Sequence, residues 1–283
     1  MALSYQEHSP PGCWPFLPYF AYRHRVNAPA PKLIVTSGSR LVVPCLALRQ
    51  QAGLAIGEPV GAVYILKPPA YASAFDAIVS QAHDQMTGGN LVTTTGALSV
   101  ASADRLAATT TEAFAEMPRP WTALLLGGPS KAVSLEGFMQ LAEQVQRLQA
   151  RLGEGSLLIC PSRRTPEAFL DSIETNEQNK VWRDHSTAPY MALLAHADQL
   201  VTTADSINMI SEAASVAKER GLYVLHRKTS NAKFERFYAA MTAAGHMRWF
   251  EGSLNPWRAE PYVELEMAAE AVRERLIARG IDL

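Results

Sequence analysis

Trp121-Thr-Ala-Leu-Leu-Leu126 runs straight into Gly127-Gly-Pro-Ser-Lys131, and Leu157-Leu-Ile-Cys160 runs into Pro161-Ser-Arg-Arg-Thr165. Each is a short, unbroken apolar run that stops at a polar turn carrying glycine or proline. Apolar and polar residues do not alternate, so neither face is written for water. This is the pattern of a parallel strand covered on both sides. A helical pattern follows each turn. Leu135–Leu152 reads as one long amphipathic helix, and Pro166 opens a helix with Thr165 as its cap. The same grammar continues with a short strand at Val181-Trp182, a helix over Tyr190–Ala197 and a strand over Gln199–Thr203. Asp205 is then expected to cap a helix over Ser206–Ala217, before a strand at Leu222–Leu225 and a helix at Lys233–Ala244. Strand, turn and helix in this alternation predict a doubly wound α/β sheet.

Working outward, the first half shows a weaker version of the same order. Lys32–Thr36, Gly61–Leu66, Phe75–Val79 and Asn90–Thr93 read as buried strands, with helices at Leu41–Ala52 and Ser102–Ala115. Met117-Pro-Arg-Pro120 reads as a linker. The expected architecture is therefore two Rossmann-like parallel-sheet domains, residues 31–117 and 118–262, facing a cleft. A last helix over Val263–Arg279, within residues 263–283, is expected to pack back toward the first domain. Residues 1–30 carry Pro10, Pro11, Trp14, Pro15, Phe16, Pro18, Tyr19, Phe20 and Tyr22, which predicts an irregular segment with one short helix around Phe16–Tyr22.

The composition fits this reading. With 283 residues, 48% hydrophobic and 19% charged, the chain can bury a core in one large or two modest domains. Its 26 Lys+Arg against 27 Asp+Glu give a net charge of −1, so the cationic excess of a dedicated nucleic-acid binder is missing. Cys13, Cys45 and Cys160 are too far apart in sequence for a zinc knuckle or redox dithiol and read as buried thiols of a reducing compartment. No signal-peptide pattern and no apolar run of membrane length is present, which predicts a cytoplasmic protein, at most peripheral to the inner face of a membrane.

In open parallel sheets, ligands bind beyond the carboxyl ends of the strands, where helix N-termini offer free N–H groups. Three polar segments fall at that position in the second half. Gly127, Gly128, Ser130 and Lys131 combine close backbone approach with a hydroxyl and a cation, without the spacing of a Walker loop. Ser162, Arg163, Arg164 and Thr165 put two guanidinium groups at a helix start, where the helix dipole repels them unless an anion lies between. In Thr203-Ala-Asp-Ser-Ile-Asn-Met-Ile-Ser-Glu-Ala213, Ile207, Ile210 and Ala214 face the sheet, while Asn208, Ser211, Glu212 and Ser215 form a neighbouring stripe. Asp205, Ser206, Asn208, Met209, Ser211 and Glu212 are thus the candidate sugar or ribose contacts, with Glu212 accepting from hydroxyls. Each segment also has a plain alternative: a tight turn, two arginines splayed into water, an ordinary solvated helix face.

In the first half, His83 is the candidate base and Asp84 its orienting partner. A structural histidine–aspartate pair is the alternative. H-E-x-x-H and Asp-x-Asp arrangements are missing, so no metal is called for, and the absence of G-x-G-x-x-G argues against a dinucleotide cofactor.

Leu126-Gly-Gly-Pro-Ser-Lys131, Ser162-Arg-Arg-Thr-Pro166 and the Thr203–Ala213 motif resemble the mitochondrial fission (elongated mitochondria) protein family. Phe75-Asp76, His83-Asp84, Thr94-Thr-Gly-Ala-Leu98, Lys233-Phe-Glu-Arg-Phe237 and Pro256-Trp257 are similar too, and the resemblance covers about residues 30 to 277. It implies the GT-B architecture and a glycosyltransferase that needs no metal. A nucleoside diphosphate sugar, of UDP or GDP type, would be donor, and a glycan or lipid-linked molecule the acceptor. The diphosphate would meet residues 127–131 and 162–165, and the sugar or ribose residues 208–212. The family's usual opening strand and Gly/His loop are not visible before Pro31, so the first domain reads as shortened. Ala217-Lys-Glu-Arg-Gly-Leu-Tyr223 stands where a Gly-Lys-Pro turn is typical. Plant members are linked to recruiting a dynamin-related protein, which implies the alternative of a non-catalytic adaptor.

Overall fold

A computed structural model describes residues 30–99, 101, 103–130, 133–173, 176–184, 189–225, 229 and 231–281. The segment expected to be irregular over residues 1–29, with its short helix and Cys13, lies outside the described residues, and so does Lys131.

The chain divides into two compact units, one formed by residues up to Thr94 together with those from Glu266 onward, the other by Thr95–Leu265. In the first unit, β1 (Leu33–Ser37), β2 (Gly61–Ile65), β3 (Ala77–Gln81) and β4 (Leu91–Thr94) form a parallel sheet in that spatial order. Helix α1 (Val42–Ile56) connects β1 to β2 and buries Val42, Cys45 and Leu46 against Ala62, Tyr64, Phe75 and Ile78. Gly57 ends it in the left-handed region at φ 70°, its N–H on the Gly53 carbonyl. The links from β2 to β3 and from β3 to β4 hold only 3-10 turns, at Ala72–Ala74 and Ala82–Asp84.

Asp76 is the polar centre of this unit. Its carboxylate is buried, accepts from the Ala62 N–H at 2.8 Å and pairs with Arg49 at 2.9 Å and Arg279 at 2.7 Å. It sits just before β3, which starts two residues later than its apolar pattern because Phe75 and Asp76 serve packing and pairing ahead of the ladder.

The second unit holds β5 (Trp121–Leu126), β6 (Ser156–Pro161), β7 (Asn179–Val181), β8 (Gln199–Thr203), β9 (Leu222–Leu225) and β10 (Arg248–Trp249). All are parallel, in the order β10-β9-β8-β5-β6-β7. Numbered from β5, this is the doubly wound 3-2-1-4-5-6 sheet read from its other edge. The direction of winding reverses between β5 and β8, where Leu125 pairs with Thr202. β5 and β6 are buried along their whole length, as an unbroken apolar run requires.

Some helices differ from their sequence pattern. Leu135–Leu152 is two pieces, α3 (Leu135–Met139) and α4 (Ala142–Gln149), because Gln140 and Leu141 tighten to ψ −17°. The region expected to be helical over 102–115 contains only α2 (Ala103–Ala107) among its described residues, and it belongs to the second unit, not the first. Three β-branched residues in a row, Thr109-Thr-Thr111, follow it. Thr109 Oγ1 donates to the Leu106 carbonyl at 2.7 Å and lies 2.9 Å from His196 Nε2, which ends the helix. The remaining helices are α5 (Glu167–Asp171), α6 (Tyr190–His196), α7 (Ile207–Ala217), α8 (Ala232–Ala243) and α9 (Glu264–Ala278). Among the described residues no helix is long and apolar enough to cross a membrane.

The Ala217–Tyr223 segment, where the resemblance shows a departure, is closed by its own residues. The Arg220 guanidinium donates to the carbonyls of Leu194 at 2.9 Å and Ala197 at 2.7 Å, and to that of Val216 at 2.5 Å, thereby capping the C-terminal ends of α6 and α7 together. Gly221 has φ 66°, and a Cβ there would meet the Trp257 indole.

Candidate functional site

Three loops at the carboxyl ends of β5, β6 and β8 meet at the reversal of the second sheet. The Gly127 N–H donates to Thr203 Oγ1 at 2.9 Å, and the Gly128 N–H donates to Asp205 Oδ2 at 2.7 Å. Ser162 Oγ donates to the Gly127 carbonyl at 2.9 Å, and Thr165 Oγ1 to the same carbonyl at 2.5 Å. Arg164 folds back over the glycines, donating to the carbonyls of Gly128 at 2.8 Å and Pro129 at 3.2 Å, with Asp205 Oδ2 at 3.3 Å. A Cβ on Gly127 would run into the Asp205 carboxylate, and one on Gly128 into the Arg164 main chain. Both glycines are needed for close approach, but what approaches is the protein itself.

Two expected caps therefore do other work. Thr165 does not cap α5: Pro166 occupies the N-cap position without a side-chain bond, and Thr165 Oγ1 accepts instead from the Ser162 N–H at 2.9 Å. Asp205 does not cap α7, because Ser206 does, its Oγ accepting from the Met209 N–H at 3.3 Å. Asp205 turns inward as the internal anion of the Gly127–Gly128 turn, fully buried, with its Oδ1 making no hydrogen bond among the described residues. The Gly128 N–H and the Arg164 guanidinium, offered by sequence to a phosphate, are spent on this carboxylate. Ser130 is exposed and closes its turn through a two-way backbone pairing with Val133, at 2.8 and 3.1 Å.

Ser211 is also assigned differently. It is fully buried, and its Oγ accepts from the Ala97 N–H at 2.9 Å. A Cβ on Gly96 would strike Ser211 Oγ and Tyr262 Oη at 2.6 Å, so glycine lets the 95–99 segment lie against α7. Ser215 continues this seam, 2.7 Å from Ser99 Oγ. The serine stripe of α7 holds a neighbouring segment of its own unit.

The remaining candidates do come together. An open pocket of about 360 Å³ is lined by Ser162 and Arg163 from the β6 loop and by Ser206, Asn208, Met209 and Glu212 from α7. Cys160, Pro161 and Tyr190 complete its wall; sequence reasoning had not named them for this role. Arg163 and Asn208 are exposed, and Glu212 is half-buried. The lining combines a cation, a helix N-terminus and a carboxylate with the apolar surfaces of Pro161 and Met209. Such a pocket suits an anionic ligand bearing hydroxyls and a flat or apolar part.

Tyr190 Oη donates to Glu212 Oε2 at 2.6 Å. Burial raises the phenol's pKa, and the Glu212 charge and this bond raise it further. Its 22-residue separation from Glu212 left no sequence signal, since the pair meets only when α6 packs on α7. Burial likewise pushes the Cys160 and Cys45 thiols up to about 12, so neither is a nucleophile at neutral pH. Alkylation by iodoacetamide at pH 8, followed by peptide mass spectrometry, should leave both unlabelled in the native protein and label both in urea. Rapid native labelling of Cys160 would contradict its burial.

His83 and Asp84 lie in the first unit, in the 3-10 turn after β3; His83 is buried and Asp84 half-buried. Ser80 and Gln81 belong to β3 itself and not to a loop. Among the described residues no group of three or more His, Cys, Asp or Glu could hold a metal ion.

The chain is 25% identical over 296 residues to the "Mitochondrial fission protein ELM1" of Arabidopsis thaliana, covering 92% of this chain and 67% of that protein. It is 25% identical over 293 residues to the uncharacterized protein RP120 of Rickettsia prowazekii (strain Madrid E), covering 86% of this chain and 79% of that one. Among solved structures, Acinetobacter baumannii MurG is similar at a TM-score of 0.41 and 12% identity, over 88% of this chain and 72% of that one. S. aureus MnaA with UDP is similar at a TM-score of 0.47 and 12% identity, over 87% and 66%. The family model "Mitochondrial fission ELM1" matches residues 17–276. By that match over most of its length, the chain belongs to the mitochondrial fission ELM1 family.

Proposed function

We propose that the pocket between the β6 loop and α7 binds a nucleoside diphosphate sugar and that the chain is a glycosyltransferase of GT-B type. The observation that carries this reading is the pairing, in one open pocket at the sheet's reversal, of Arg163 and the α7 N-terminus with Glu212. In the transfer, the bond from the sugar's anomeric carbon to the diphosphate oxygen breaks with its electron pair leaving on the nucleoside diphosphate, a bond to an acceptor hydroxyl oxygen forms, and the hydroxyl's proton passes to water. The chain's part is to hold the donor and to stabilise charge on the leaving diphosphate through Arg163 and the helix N-terminus, without a metal. Arg164 and Asp205, next in sequence to Arg163 and Ser206 of the lining, hold the glycine turn. No proton step is assigned to His83, whose imidazole is buried in the first unit.

A donor that binds only the folded state must raise its melting temperature. UDP or GDP at about a hundred times its Kd is expected to stabilise by about 2.7 kcal/mol, roughly 5–10 °C for domains of this size. Arg163→Ala should abolish most of that shift. No shift with either nucleotide at millimolar concentration would sink the reading.

The glycine turn filled by Asp205 and Arg164 favours a second reading, a non-catalytic adaptor that keeps the fold and recruits a protein. Its signature would be partner capture lost on deleting residues 1–30 and indifferent to Arg163→Ala.

A further inference from the structure

Glu212 is the pocket's carboxylate, and its two oxygens are not equivalent. Oε2 accepts from Tyr190 Oη at 2.6 Å, while Oε1 makes no hydrogen bond among the described residues. Tyr190 is the first residue of α6, and Glu212 lies in the second turn of α7, so the bond spans two helices that pack together. Burial and the neighbouring negative charge keep the phenol protonated at any physiological pH, so toward the Glu212 carboxylate it is the donor. A carboxylate on a flexible Glu stem ordinarily samples several rotamers and pays ordering entropy when it binds. Here one oxygen is fixed before any ligand arrives, on a side chain that lines the pocket.

Resting on the nucleotide-sugar reading of this pocket, we propose that Tyr190 is a positioning residue that makes Glu212 a fixed hydroxyl acceptor and so makes the site select ligands carrying a hydroxyl over their deoxy analogues. The hydroxyl has two sources, the ribose or the transferred sugar, and both present the same O–H donor. A site built to receive such a donor rejects an analogue lacking it, because its desolvated acceptor is left without a partner. Tyr190→Phe keeps the ring's packing and removes only the donor. Loss of packing alone would weaken all ligands alike, whereas loss of positioning reduces the ratio between hydroxyl and deoxy ligands.

Isothermal titration of the full chain with UDP, 2′-deoxy-UDP, UDP-glucose and UDP-2-deoxyglucose tests this. The wild type is expected to favour the hydroxyl member of one pair by about tenfold or more. The pair that discriminates identifies the ribose or the sugar as the source. Tyr190→Phe should reduce that preference to within about threefold while still binding UDP, and Glu212→Gln should reduce it as well. Equal affinities within both pairs for the wild type, or an unchanged preference in Tyr190→Phe, overturn the inference and leave the donor-site reading standing. Where the uridine ligands do not bind, the GDP counterparts of the four are titrated instead, and failure of both sets to bind the wild type overturns the donor-site reading and the inference with it.

Discussion

Gly127→Ala is expected to destabilise the protein by about 3–5 kcal/mol, among the largest effects of any single methyl group in it. The added Cβ would occupy the place of the Asp205 carboxylate, which is fully buried and has nowhere to retreat. Moving Asp205 outward severs its bonds from the Gly128 N–H and Arg164 and leaves a buried N–H without an acceptor, itself a cost of about 1–3 kcal/mol. Urea unfolding gives the loss directly, and a fall in melting temperature of roughly 10 °C should accompany it. Gly89→Ala is the control: a Cβ there meets nothing within 4 Å, and its midpoint should stay put. If both variants unfold like the wild type, the three loops are not knotted as described.

Asp76→Ala should cost a similar amount, about 3 kcal/mol, at the low end for breaking a buried ion pair because both arginines partly reach water. The carboxylate's three partners lose it together: the Ala62 N–H, Arg49 and Arg279. Arg279 follows the end of α9, whose Arg275 also donates to the Leu91 carbonyl at 2.9 Å. The same region packs Leu276 and Ile281 where a Cβ on Gly61 would fall. Hydrogen exchange should therefore speed up most along the last turns of α9 and in α1, before the sheet itself opens. Exchange unchanged there, with full stability retained, would show that the pairing contributes nothing.

The sequence showed the strands well and the helix interiors less well, for a physical reason. A strand buried on both faces needs only an unbroken apolar run, so Trp121–Leu126 and Leu157–Cys160 could be read directly. The stripe Phe138, Leu141, Val145, Leu148 keeps helical spacing through the tightened turn at Gln140 and Leu141, so the pattern marks the helix but not its break. Rules for caps are local, and at Thr165 and Asp205 the local rule lost to partners about 40 to 80 residues away. The convergence of the three polar loops was legible because strand ends must carry them. Which polar atoms face a ligand and which face the protein was not: Arg163 and Arg164 are adjacent and chemically identical, yet one lines the pocket and the other holds the glycine turn. Only tertiary contacts separate them.

The division of the chain bears on how it is made. The unit spanning Thr95–Leu265 is continuous in sequence, so it can fold from neighbouring stretches of chain as they are made. The other unit is written in two instalments, and the Arg279 that pairs with Asp76 is translated some two hundred residues after it. Until that arginine has been made, the first sheet holds the Asp76 carboxylate short of one partner.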